Sequence, residues 1–506
     1  MLGLPTEREV SENVSAWSNA NQAFAAILAG GVPVHQALSR WGLLLLRQNR
    51  PTEAAASFCS ALTLQPSDPV LWLNYGLSLD QSNAFTEAAA CFEKSLVFSP
   101  GQSQAWLLLG LVRKKLGDLP GAEAAYRRAL ELEPNLPVAW QCLGLLKEEQ
   151  RDFPAAIDHL TACIRHGGPS APVLADLAKL YHLTGRFPEA VTAFQKALDM
   201  EPANQHYRQM LGKTRFLCDA LQNLPIEESI ASYRVSVLPA ESVSEQELMD
   251  LFDKTIALLG GFGHLEPALR LGRKRLELWT ASPTVEYFMR AMAGDTTLDR
   301  SPPQFIVEQF DASADSFDHH LVNDLGYDIP GKLVKAVRAL TPSGHLYDAL
   351  DAGCGTGLCG PFLRPLSRRL VAVDLSPKML EHVAKRGLYD QLVCEELVQF
   401  LARSPGQFDL VVAADVFIYF GDIEPIFSAA ASALRPGGLL AFSTQSGPPA
   451  GYRLLPSGHF AHAPDYVRAA AGGHYKQELC VETTIRLEAT HRLPGNLFLF
   501  RRQGKI

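Results

Sequence analysis

The stretch LYDALDAGCGTGLCG, residues 346–360, decides the fold of the second half of the chain. It begins as a short β-like run and ends in a turn that contains Gly353, Gly355 and Gly357, with the acid Asp351 just before them. Glycine is needed where a backbone turns sharply and passes flat against a bound molecule, because any Cβ would collide there. The pattern therefore predicts a strand that is followed by a cofactor-binding turn.

The glycines of this turn admit two interpretations. Gly355, Gly357 and Gly360 also satisfy the G-x-G-x-x-G fingerprint of dinucleotide-binding folds, and an acid about twenty residues further on fits either cofactor. The turn alone does not identify the class of cofactor, so the identification depends on the segments that follow it.

Further strand-like runs follow the turn and alternate with helical patterns, which is typical of an α/β fold with a parallel sheet. RRLVAVDLS ends near Asp374, which is placed to accept hydrogen bonds from both hydroxyls of a ribose. QLVCEEL carries Glu395 and Glu396 at its carboxyl end, and FDLVVAADVFIYFGD carries Asp415 at the strand end with Tyr419 just beyond. The run LRPGGLLAFST and two β-rich stretches, CVETTIRLE and LFLFRR, complete the set.

In this order the segments resemble the motifs of class I S-adenosylmethionine-dependent methyltransferases, whose first motif reads D/E-x-G-x-G-x-G. The resemblance implies a Rossmann-like α/β domain with a seven-stranded, mostly parallel sheet and an antiparallel last strand. It also implies S-adenosyl-L-methionine as cofactor and S-adenosyl-L-homocysteine as product. We expect the cofactor to be bound by Asp351, Gly353, Cys354, Gly355, Gly357, Asp374, Leu375, Met379, Glu396, Leu397 and Asp415.

The acceptor side of such a site lies beyond the carboxyl ends of the strands. Tyr419 falls there, and so does the segment SGPPAGYRLLPSGHFAHAPDY after the fifth strand. His459 and His462 in that segment are candidates for a general base, because histidine alone titrates near neutral pH without help. The alternative is that both histidines are surface or core residues of a long loop.

The segment FIVEQFDASADSFDHHLVNDLGYDIP, residues 305–330, precedes the first strand. In this fold such a preceding helix often closes over the cofactor as a lid, so Phe310 and Phe317 are candidates for cofactor contacts; plain packing is the alternative. His320, in the same segment, is a further candidate base.

The first half of the chain repeats itself every 34 residues, which is the mark of stacked helical hairpins. Four columns of the repeat read Gly42, Gly76, Gly110, Gly144 and Ala178; Leu38, Trp72, Trp106, Trp140 and Leu174; Phe58, Phe92, Tyr126, Leu160 and Phe194; and Pro66, Pro100, Pro134 and Pro202. Small residues let two antiparallel helices approach closely, aromatic residues fill the space between hairpins, and proline ends the second helix. The columns resemble the tetratricopeptide repeat (TPR), with five copies over residues 35–204.

Stacked repeats of this kind form a superhelix with a concave groove, which in this family usually binds a peptide or a partner's helix. The second, fifth, ninth and twelfth positions of each repeat are expected to face it, and most are apolar. They read Val70, Leu73, Leu77 and Asp80, then Gln104, Leu107, Leu111 and Lys114, then Val138, Gln141, Leu145 and Glu148. Two kinds of occupant fit such a groove: a hydrophobic segment of another protein, or this chain's own N-terminal helix or a second copy, as in a homodimer.

The sequence predicts five segments. They are an N-terminal helical cap over 1–34, the repeats over 35–204, a helical extension with one degenerate hairpin over 205–294, a polar linker over 295–304, and a methyltransferase domain over 305–506. The arrangement resembles bacterial TPR methyltransferases, in which repeats precede this catalytic module. The predicted fold is thus an all-α TPR superhelix followed by an α/β methyltransferase.

Composition excludes several other classes of protein. The 506 residues carry 46 Lys and Arg against 54 Asp and Glu, so the basic excess that binds nucleic acid is missing. The nine cysteines form no CxxC pair, so neither a disulfide framework nor a metal site is expected. Residues 1–10 lack a basic, apolar signal pattern, and no apolar run approaches the ~20 residues that cross a bilayer. We expect a cytoplasmic protein.

Three functional hypotheses follow from the sequence. The first is a methyltransferase whose repeats recruit a protein, a peptide or a carrier-bound acceptor. The second is a small-molecule methyltransferase whose repeats serve oligomerisation. The third is an interaction scaffold in which the methyltransferase fold has lost its chemistry, against which the intact glycines, Asp351 and Asp374 argue.

Overall fold

The computed structural model describes residues 30–237, 243–279, 282–488 and 491–504. They divide into two compact units, one with the residues up to 181 and 196–202, the other with 182–195 and the residues from 203 onward. The N-terminal cap predicted over 1–34 lies outside the described residues as far as residue 29. No helix in the described ranges is long and apolar enough to span a membrane.

The first unit consists of antiparallel helical hairpins. Its helices are α1 (Val34–Arg47), α2 (Pro51–Leu64), α3 (Pro69–Gln81), α4 (Phe85–Phe98), α5 (Ser103–Lys115), α6 (Leu119–Leu132), α7 (Pro137–Glu149), α8 (Phe153–Gly167), and parts of α9 (Ala171–Leu183) and α10 (Phe187–Met200). The grid prolines follow the second helices of the hairpins within two residues, where a helix cannot continue. The predicted all-α TPR fold is confirmed.

The first four hairpins close around a glycine of the first helix. A Cβ built on Gly76 would lie 2.6 Å from the ring of Phe92, and one built on Gly110 would lie 2.5 Å from the ring of Tyr126. Both distances are far inside van der Waals contact, so only glycine lets the second helix place its aromatic ring there. The close approach that the small-residue column predicts is therefore real.

The tryptophan column has a second role that the spacing does not reveal. The indole Nε1 of Trp72 donates a hydrogen bond to the carbonyl of Pro66 at 2.8 Å, and Trp106 donates to the carbonyl of Pro100 at 3.0 Å. Each tryptophan therefore ties the start of its own repeat to the proline that closes the preceding hairpin.

The second unit begins with a helical layer. Its elements are α11 (Gln205–Leu221), α12 (Ile226–Val237), α13 (Glu245–Gly261), α14 (Leu265–Leu278) and α15 (Pro283–Met292). They share a buried core in which the ring of Phe252 packs 5.1 Å from Phe216 and 5.2 Å from Trp279, measured between centroids. Helix α13 starts at a capping box made by Ser244 and Glu247.

The rest of the second unit is built on one sheet. Its strands are β1 (Tyr347–Ala352), β2 (Ser367–Asp374), β3 (Gln391–Cys394), β4 (Phe408–Ala413), β5 (Leu434–Ser446), β6 (Tyr452–Leu454), β7 (Phe460–His462), β8 (Tyr475–Glu488) and β9 (His491–Arg502). Strands β3, β2, β1, β4 and β5 lie side by side and parallel. Strand β9 runs antiparallel between β5 and β8.

This order confirms the predicted class I methyltransferase fold, with one addition. Among the described residues the sheet has nine strands instead of seven, because the segment after β5 forms the short hairpin β6–β7, and β7 pairs with the end of β5. The long loop considered for the two histidines is thus partly a hairpin. His462 is its last strand residue and His459 lies just before β7.

Helices cover both faces of this sheet. They are α16 (Pro303–Ser313), the π-helix His319–Asp324, α17 (Ile329–Ala339), α18 (Gly360–Leu363), α19 (Pro377–Arg386), α20 (Leu397–Ala402), α21 (Glu424–Ala433) and α22 (Pro464–Ala471). Along β4, Val411 joins the core that contains Phe427 of α21, whereas Leu410 joins the core that contains Leu333 of α17. Strand residues alternate between the faces, so the two cores pack on opposite sides of the same strands.

Candidate active site

A cavity of about 450 Å³ opens at the carboxyl ends of β1, β2 and β4. The sequence-predicted residues that line it are Gly353, Cys354, Gly355, Asp374, Leu375, Glu396, Leu397, Asp415, Tyr419 and His459. The structure therefore gathers candidates that are spread over more than a hundred residues of sequence. Asp351, Gly357, Met379 and His462 lie outside the lining, and the side chain of His320 is outside what the structure describes.

The glycine turn forms one wall of the cavity. Its three glycines have φ angles of +65° at Gly353, +52° at Gly355 and +84° at Gly357, which L-residues with a side chain rarely adopt. The amides of Gly353 and Cys354 both donate to the carbonyl of Val373, at 2.8 and 3.0 Å. The turn is therefore fixed against the end of β2.

Asp374, the last residue of β2, joins the turn to the cavity. Its Oδ2 accepts from the amide of Gly355 at 2.8 Å and its Oδ1 from the amide of Ser376 at 2.9 Å. Burial raises the pKa of this carboxyl, and the backbone hydrogen bonds oppose the rise. Carboxylate oxygens have more than one acceptor position, so both can take a further hydrogen bond from a ligand hydroxyl.

Asp351 lies behind the turn and not on the cavity surface. Its side chain is only 1% exposed, and its Oδ2 accepts from the hydroxyl of Tyr389 at 2.6 Å. Burial raises the pKa of Asp351 to about 7, opposed by hydrogen bonds from Tyr389 and Cys359. In this position Asp351 supports the turn from beneath, and its direct contact with a cofactor stays a prediction.

The acidic pair after β3 also lines the cavity. Glu396 caps α20, since its Oε2 accepts from the amide of Gln399 at 2.9 Å. Glu395 accepts from Nε of Arg403 at 2.8 Å. Both glutamates line the cavity, and Arg300 Nη1 lies 4.0 Å from Glu396 Oε1.

The acceptor side is organised by an arginine that the sequence analysis missed. Arg486 of β8 lines the cavity; its Nη1 lies 2.5 Å from Oδ2 of Asp415, and its Nη2 lies 3.3 Å from Nδ1 of His459. Asp415 itself has a φ of +61°, a strained conformation for a residue with a side chain. Arg486 lies 71 positions from Asp415 in a strand-like run with no motif, so no local signal identified it.

Burial, with Arg486 as the second cause, keeps His459 neutral. Burial and the nearby Arg486 charge lower the pKa of His459 to about 3, so the imidazole is neutral near pH 7. A guanidinium only donates hydrogen bonds, so Nδ1 of His459 accepts and the ring proton lies on Nε2. His459 is thus arranged as a hydrogen-bond donor at Nε2.

His462 is a core residue in this structure. It is 0% exposed, and its Nε2 lies 2.7 Å from the carbonyl of Phe420, to which it must donate. Burial lowers its pKa to about 4, and its ring stacks on Tyr466 with centroids 6.1 Å apart. The geometry corresponds to the core alternative for this histidine.

The segment before β1 covers the cavity. Phe310 packs 5.7 Å from both Phe317 and Tyr419, and Phe317 Cε1 lies 3.7 Å from a Cβ built on Gly355. Its acids attach it to the binding loops: Asp311 accepts from the hydroxyl of Ser376 at 2.5 Å. Asp318 likewise bonds to Thr356 and Arg386. The segment therefore has the position expected of a lid.

Two family models match the chain. The model described as the C-terminal domain of cilia and flagella-associated protein 70, a TPR domain, matches residues 10–235, and the model described as a methyltransferase domain matches residues 350–440. The second match contains the glycine turn and Asp374, Glu396 and Asp415.

The relatives cover single parts of the chain. A ubiquinone biosynthesis O-methyltransferase of Xanthomonas euvesicatoria pv. vesicatoria is 31% identical over 136 residues, 24% of this chain and 56% of that protein. The N-methyltransferase NodS from Bradyrhizobium japonicum, solved with S-adenosyl-L-homocysteine, is 19% identical with a TM-score of 0.33, covering 39% of this chain and 99% of NodS. The TPR protein MamA is 21% identical with a TM-score of 0.31, covering 32% of this chain and 94% of MamA. The chain thus spans little more than half of the curated relative.

Fold, site and family models agree on the class of protein. The first half is a tetratricopeptide-repeat array and the second half carries a class I methyltransferase domain. The chain therefore joins a TPR array to a methyltransferase domain, as the resemblance in the sequence implies.

Proposed function

We propose that the protein is an S-adenosylmethionine-dependent methyltransferase whose cofactor lies in the cavity at the carboxyl ends of β1, β2 and β4. Asp374 would hold the ribose hydroxyls, the turn at Gly353 and Gly355 would lie flat against the cofactor, and Glu396 and Leu397 would border the adenine. These residues all line the cavity, which supports the assignment.

Charge is the observation that carries this proposal over a nicotinamide enzyme. The ionisable acids that line the cavity are Asp374, Glu395, Glu396 and Asp415, against the two guanidinium groups of Arg300 and Arg486. Asp415 is paired with Arg486 and Glu395 with Arg403, so the acidic excess rests on Asp374 and Glu396. These two acids favour a ligand with a sulfonium and an ammonium group and disfavour one with a diphosphate.

The element after the turn supports the same choice. In dinucleotide-binding folds the third glycine opens a long helix whose N-terminus binds the diphosphate. Here α18 spans only the four residues Gly360–Leu363. A Cβ on Gly360 would lie 2.9 Å from Tyr389, so this glycine serves packing against Tyr389.

The protein's own share of the chemistry is alignment and exclusion of water. The bound cofactor would supply an activated methyl group, and transfer requires the acceptor atom in line with it. Phe310 and Phe317 close the site, Arg486 fixes Asp415 and His459, and the Nε2 proton of His459 can orient an acceptor oxygen or carbonyl. A histidine whose pKa is about 3 is a weak base, so His459 fits an orienting role better than proton removal.

A methyl-transfer assay tests the activity. Full-length protein with tritiated S-adenosylmethionine is incubated with a lysate of the native organism, which is then separated into protein and metabolite fractions. We expect label in one fraction with the wild type and its loss with Asp374→Ala. Label that persists at the wild-type level in Asp374→Ala would show that the site is wrongly assigned.

For the acceptor, we infer that the array recruits a protein, a peptide or a carrier-bound molecule through an apolar surface. At the predicted groove positions Val70 and Val138 are 51% and 49% exposed, whereas Leu73 and Leu107 belong to buried clusters between the helices. An exposed apolar side chain at the same position of two repeats is suited to an apolar ligand segment.

The charged positions of the predicted groove are already paired within the array. Each of them forms an ion pair with the next repeat: Asp80 with Lys115 at 2.6 Å, Lys114 with Glu149 at 3.0 Å, and Glu148 with Lys179 at 2.6 Å. Paired charges recognise a ligand carboxylate poorly, so the apolar groove positions, with the two exposed valines among them, are the better recognition surface.

Groove substitutions in the full-length chain test recruitment. Val70→Glu with Val138→Glu should remove label from the protein fraction while cofactor affinity is retained. Val97→Glu, at a 74% exposed valine on the second helix α4, is the matched control and should leave labelling unchanged. Label that appears only in the metabolite fraction, unaffected by the double variant, would favour the small-molecule alternative instead.

A further inference from the structure

One tyrosine of the helical layer of the second unit is hydrogen-bonded to the segment that carries the acceptor-side residue His459. Tyr287 of α15 is 2% exposed, and its hydroxyl lies 2.7 Å from the carbonyl oxygen of Gly458 and 2.7 Å from Oγ of Ser301. A carbonyl only accepts, so the single hydroxyl hydrogen of Tyr287 goes to Gly458, and Ser301 donates to Tyr287. Both bonds are buried, where such bonds hold their partners firmly.

Gly458 is the residue directly before His459. Its φ is +79°, and a Cβ built on it would lie 3.2 Å from the rings of both Tyr287 and Phe288. Helix α15 therefore presses against the backbone at Gly458 and also holds its carbonyl. The peptide unit that carries His459 into the cavity is fixed from outside the sheet domain.

The same connection holds the second acceptor-side candidate. The amide of Ser301 donates to the carbonyl of Tyr419 at 2.8 Å. Two residues earlier, the carbonyl of Asp299 accepts from the amides of Gly421 at 2.7 Å and Asp422 at 2.9 Å. The segment that joins the helical layer to the sheet is thus bonded along the backbone that follows Tyr419.

We propose that Tyr287 is a positioning residue of the methyltransferase site. Through Gly458 and Ser301 it fixes His459 and Tyr419, so the acceptor side is completed by helix α15, which lies before the sheet domain in sequence. The rings support this: Tyr287 packs 4.7 Å from Phe305 of the lid helix α16, in a cluster that contains Phe460 and Tyr419. The inference rests on the proposed function for the role of His459 and Tyr419 in methyl transfer. The hydrogen bonds that join Tyr287 to Gly458 and Ser301 are independent of that function.

Histidine resonances of the full-length protein test it. The protein is labelled with ¹³Cε1-histidine, and the signal of His459 is assigned by its loss in His459→Gln. Because its pKa is lowered to about 3, the wild-type His459 signal should stay constant from about pH 5 to 8, where an ordinary histidine titrates. In Tyr287→Phe the ring is kept and both hydrogen bonds are lost, so His459 should leave its buried position beside Arg486. Both causes of its lowered pKa are then relieved, and a titration step should appear in this range.

A matched variant separates positioning from stability. Tyr475→Phe removes another buried tyrosine hydroxyl, which donates to the carbonyl of Phe427 at 3.0 Å in the core of the same unit. It should lower thermal stability to a similar extent and leave the His459 signal unchanged. If Tyr287→Phe does not fold, Ser301→Ala takes its place, and a smaller displacement of the same signal is expected.

A folded Tyr287→Phe or Ser301→Ala protein with the wild-type His459 signal throughout would overturn the proposal. An equal displacement in Tyr475→Phe would overturn it as well. Binding of S-adenosylmethionine to the wild type is measured alongside, so failure of the proposed function appears as absent binding, whatever the histidine signal shows.

Discussion

The repeat array and the catalytic unit use glycine for opposite purposes. In the array, Gly76 and Gly110 lie within helices, and the absence of a side chain makes room for a ring of the next helix. In the catalytic unit, Gly355 lies in a turn at the cavity wall with a φ of +52°, and a Cβ built on it would meet only the ring of Phe317, at 3.7 Å. The comparison predicts that glycine serves stability in one region and, under the proposed function, ligand binding in the other, so substitutions should have separable effects.

The largest effect on stability is expected in the array. Gly76→Leu would force a side chain into the ring of Phe92, since even a Cβ lies 2.6 Å from it. Overpacking of this kind costs about 3 kcal/mol, so the array should unfold at lower denaturant concentration while cofactor affinity is unchanged. Gly101→Leu, at a turn glycine of the array without positive φ where an added Cβ meets nothing within 4 Å, is the control. Equal losses from both variants would contradict the packing role.

Gly355→Val should lower cofactor affinity and leave the stability of the repeat array unchanged. It places a branched side chain on the cavity wall, and we expect a loss of S-adenosylmethionine affinity of about 100-fold, ~2.8 kcal/mol, by calorimetry. Gly406→Val carries the same strain at a φ of +63° with open space around it, outside the cavity lining. The Gly406→Val protein should be as stable as Gly355→Val and should bind S-adenosylmethionine as tightly as the wild type. If both variants lose binding, backbone strain explains the loss and the cavity wall does not.

Asp374→Ala is expected to have a smaller effect on affinity. Two hydrogen bonds to the cofactor hydroxyls are lost, each worth about 1 kcal/mol net, and the anchor of the Gly355 amide goes with them. Calorimetry should show a weakening of roughly 30-fold or more, with Asp374→Asn in between. Asp409→Ala, which removes an acid paired with Arg435 away from the cavity lining, should bind as the wild type does.

The smallest effect concerns pH. The folded pKa of His462, about 4, lies below the ordinary value of about 6.5, so the unfolded chain binds a proton that the folded chain does not. Its contribution to stability is complete above about pH 6.5 and is lost as the pH falls toward 4, with a slope of about 1.4 kcal/mol per pH unit.

A substitution isolates this contribution. Asp351, whose pKa is raised to about 7, acts with the opposite sign and is present in every variant, so it cancels when variants are compared. Denaturant unfolding of His462→Gln should show a stability that falls less steeply between pH 6.5 and 4 than that of the wild type. A wild-type dependence on pH in His462→Gln would contradict this account.

The sequence revealed the two regions to different depths for a physical reason. Contacts in the array recur every 34 residues, so the pairing of Gly76 with Phe92 is visible as two columns. The residues of the cavity wall were equally predictable from the sequence, because the turn and the strand ends carry fixed motifs. The predicted boundaries of the five segments, and each cofactor-binding residue, stay predictions.

The contacts on the acceptor side could not be predicted from the sequence in the same way. Arg486 meets Asp415 across 71 positions and Tyr287 meets Gly458 across 171, and neither arginine nor tyrosine stands in a motif. His462 looked equivalent to His459, since both are histidines three positions apart. Only the hairpin β6–β7 separates them, by directing one into the core and the other to the cavity.

A calorimetric titration of the full-length protein with S-adenosylmethionine, and separately with NAD, tests the central claim most directly. The carboxylate-rich cavity predicts saturable binding of the sulfonium compound at one site per chain and no saturable heat with NAD. Saturable binding of NAD without binding of S-adenosylmethionine would contradict the assignment of the cavity.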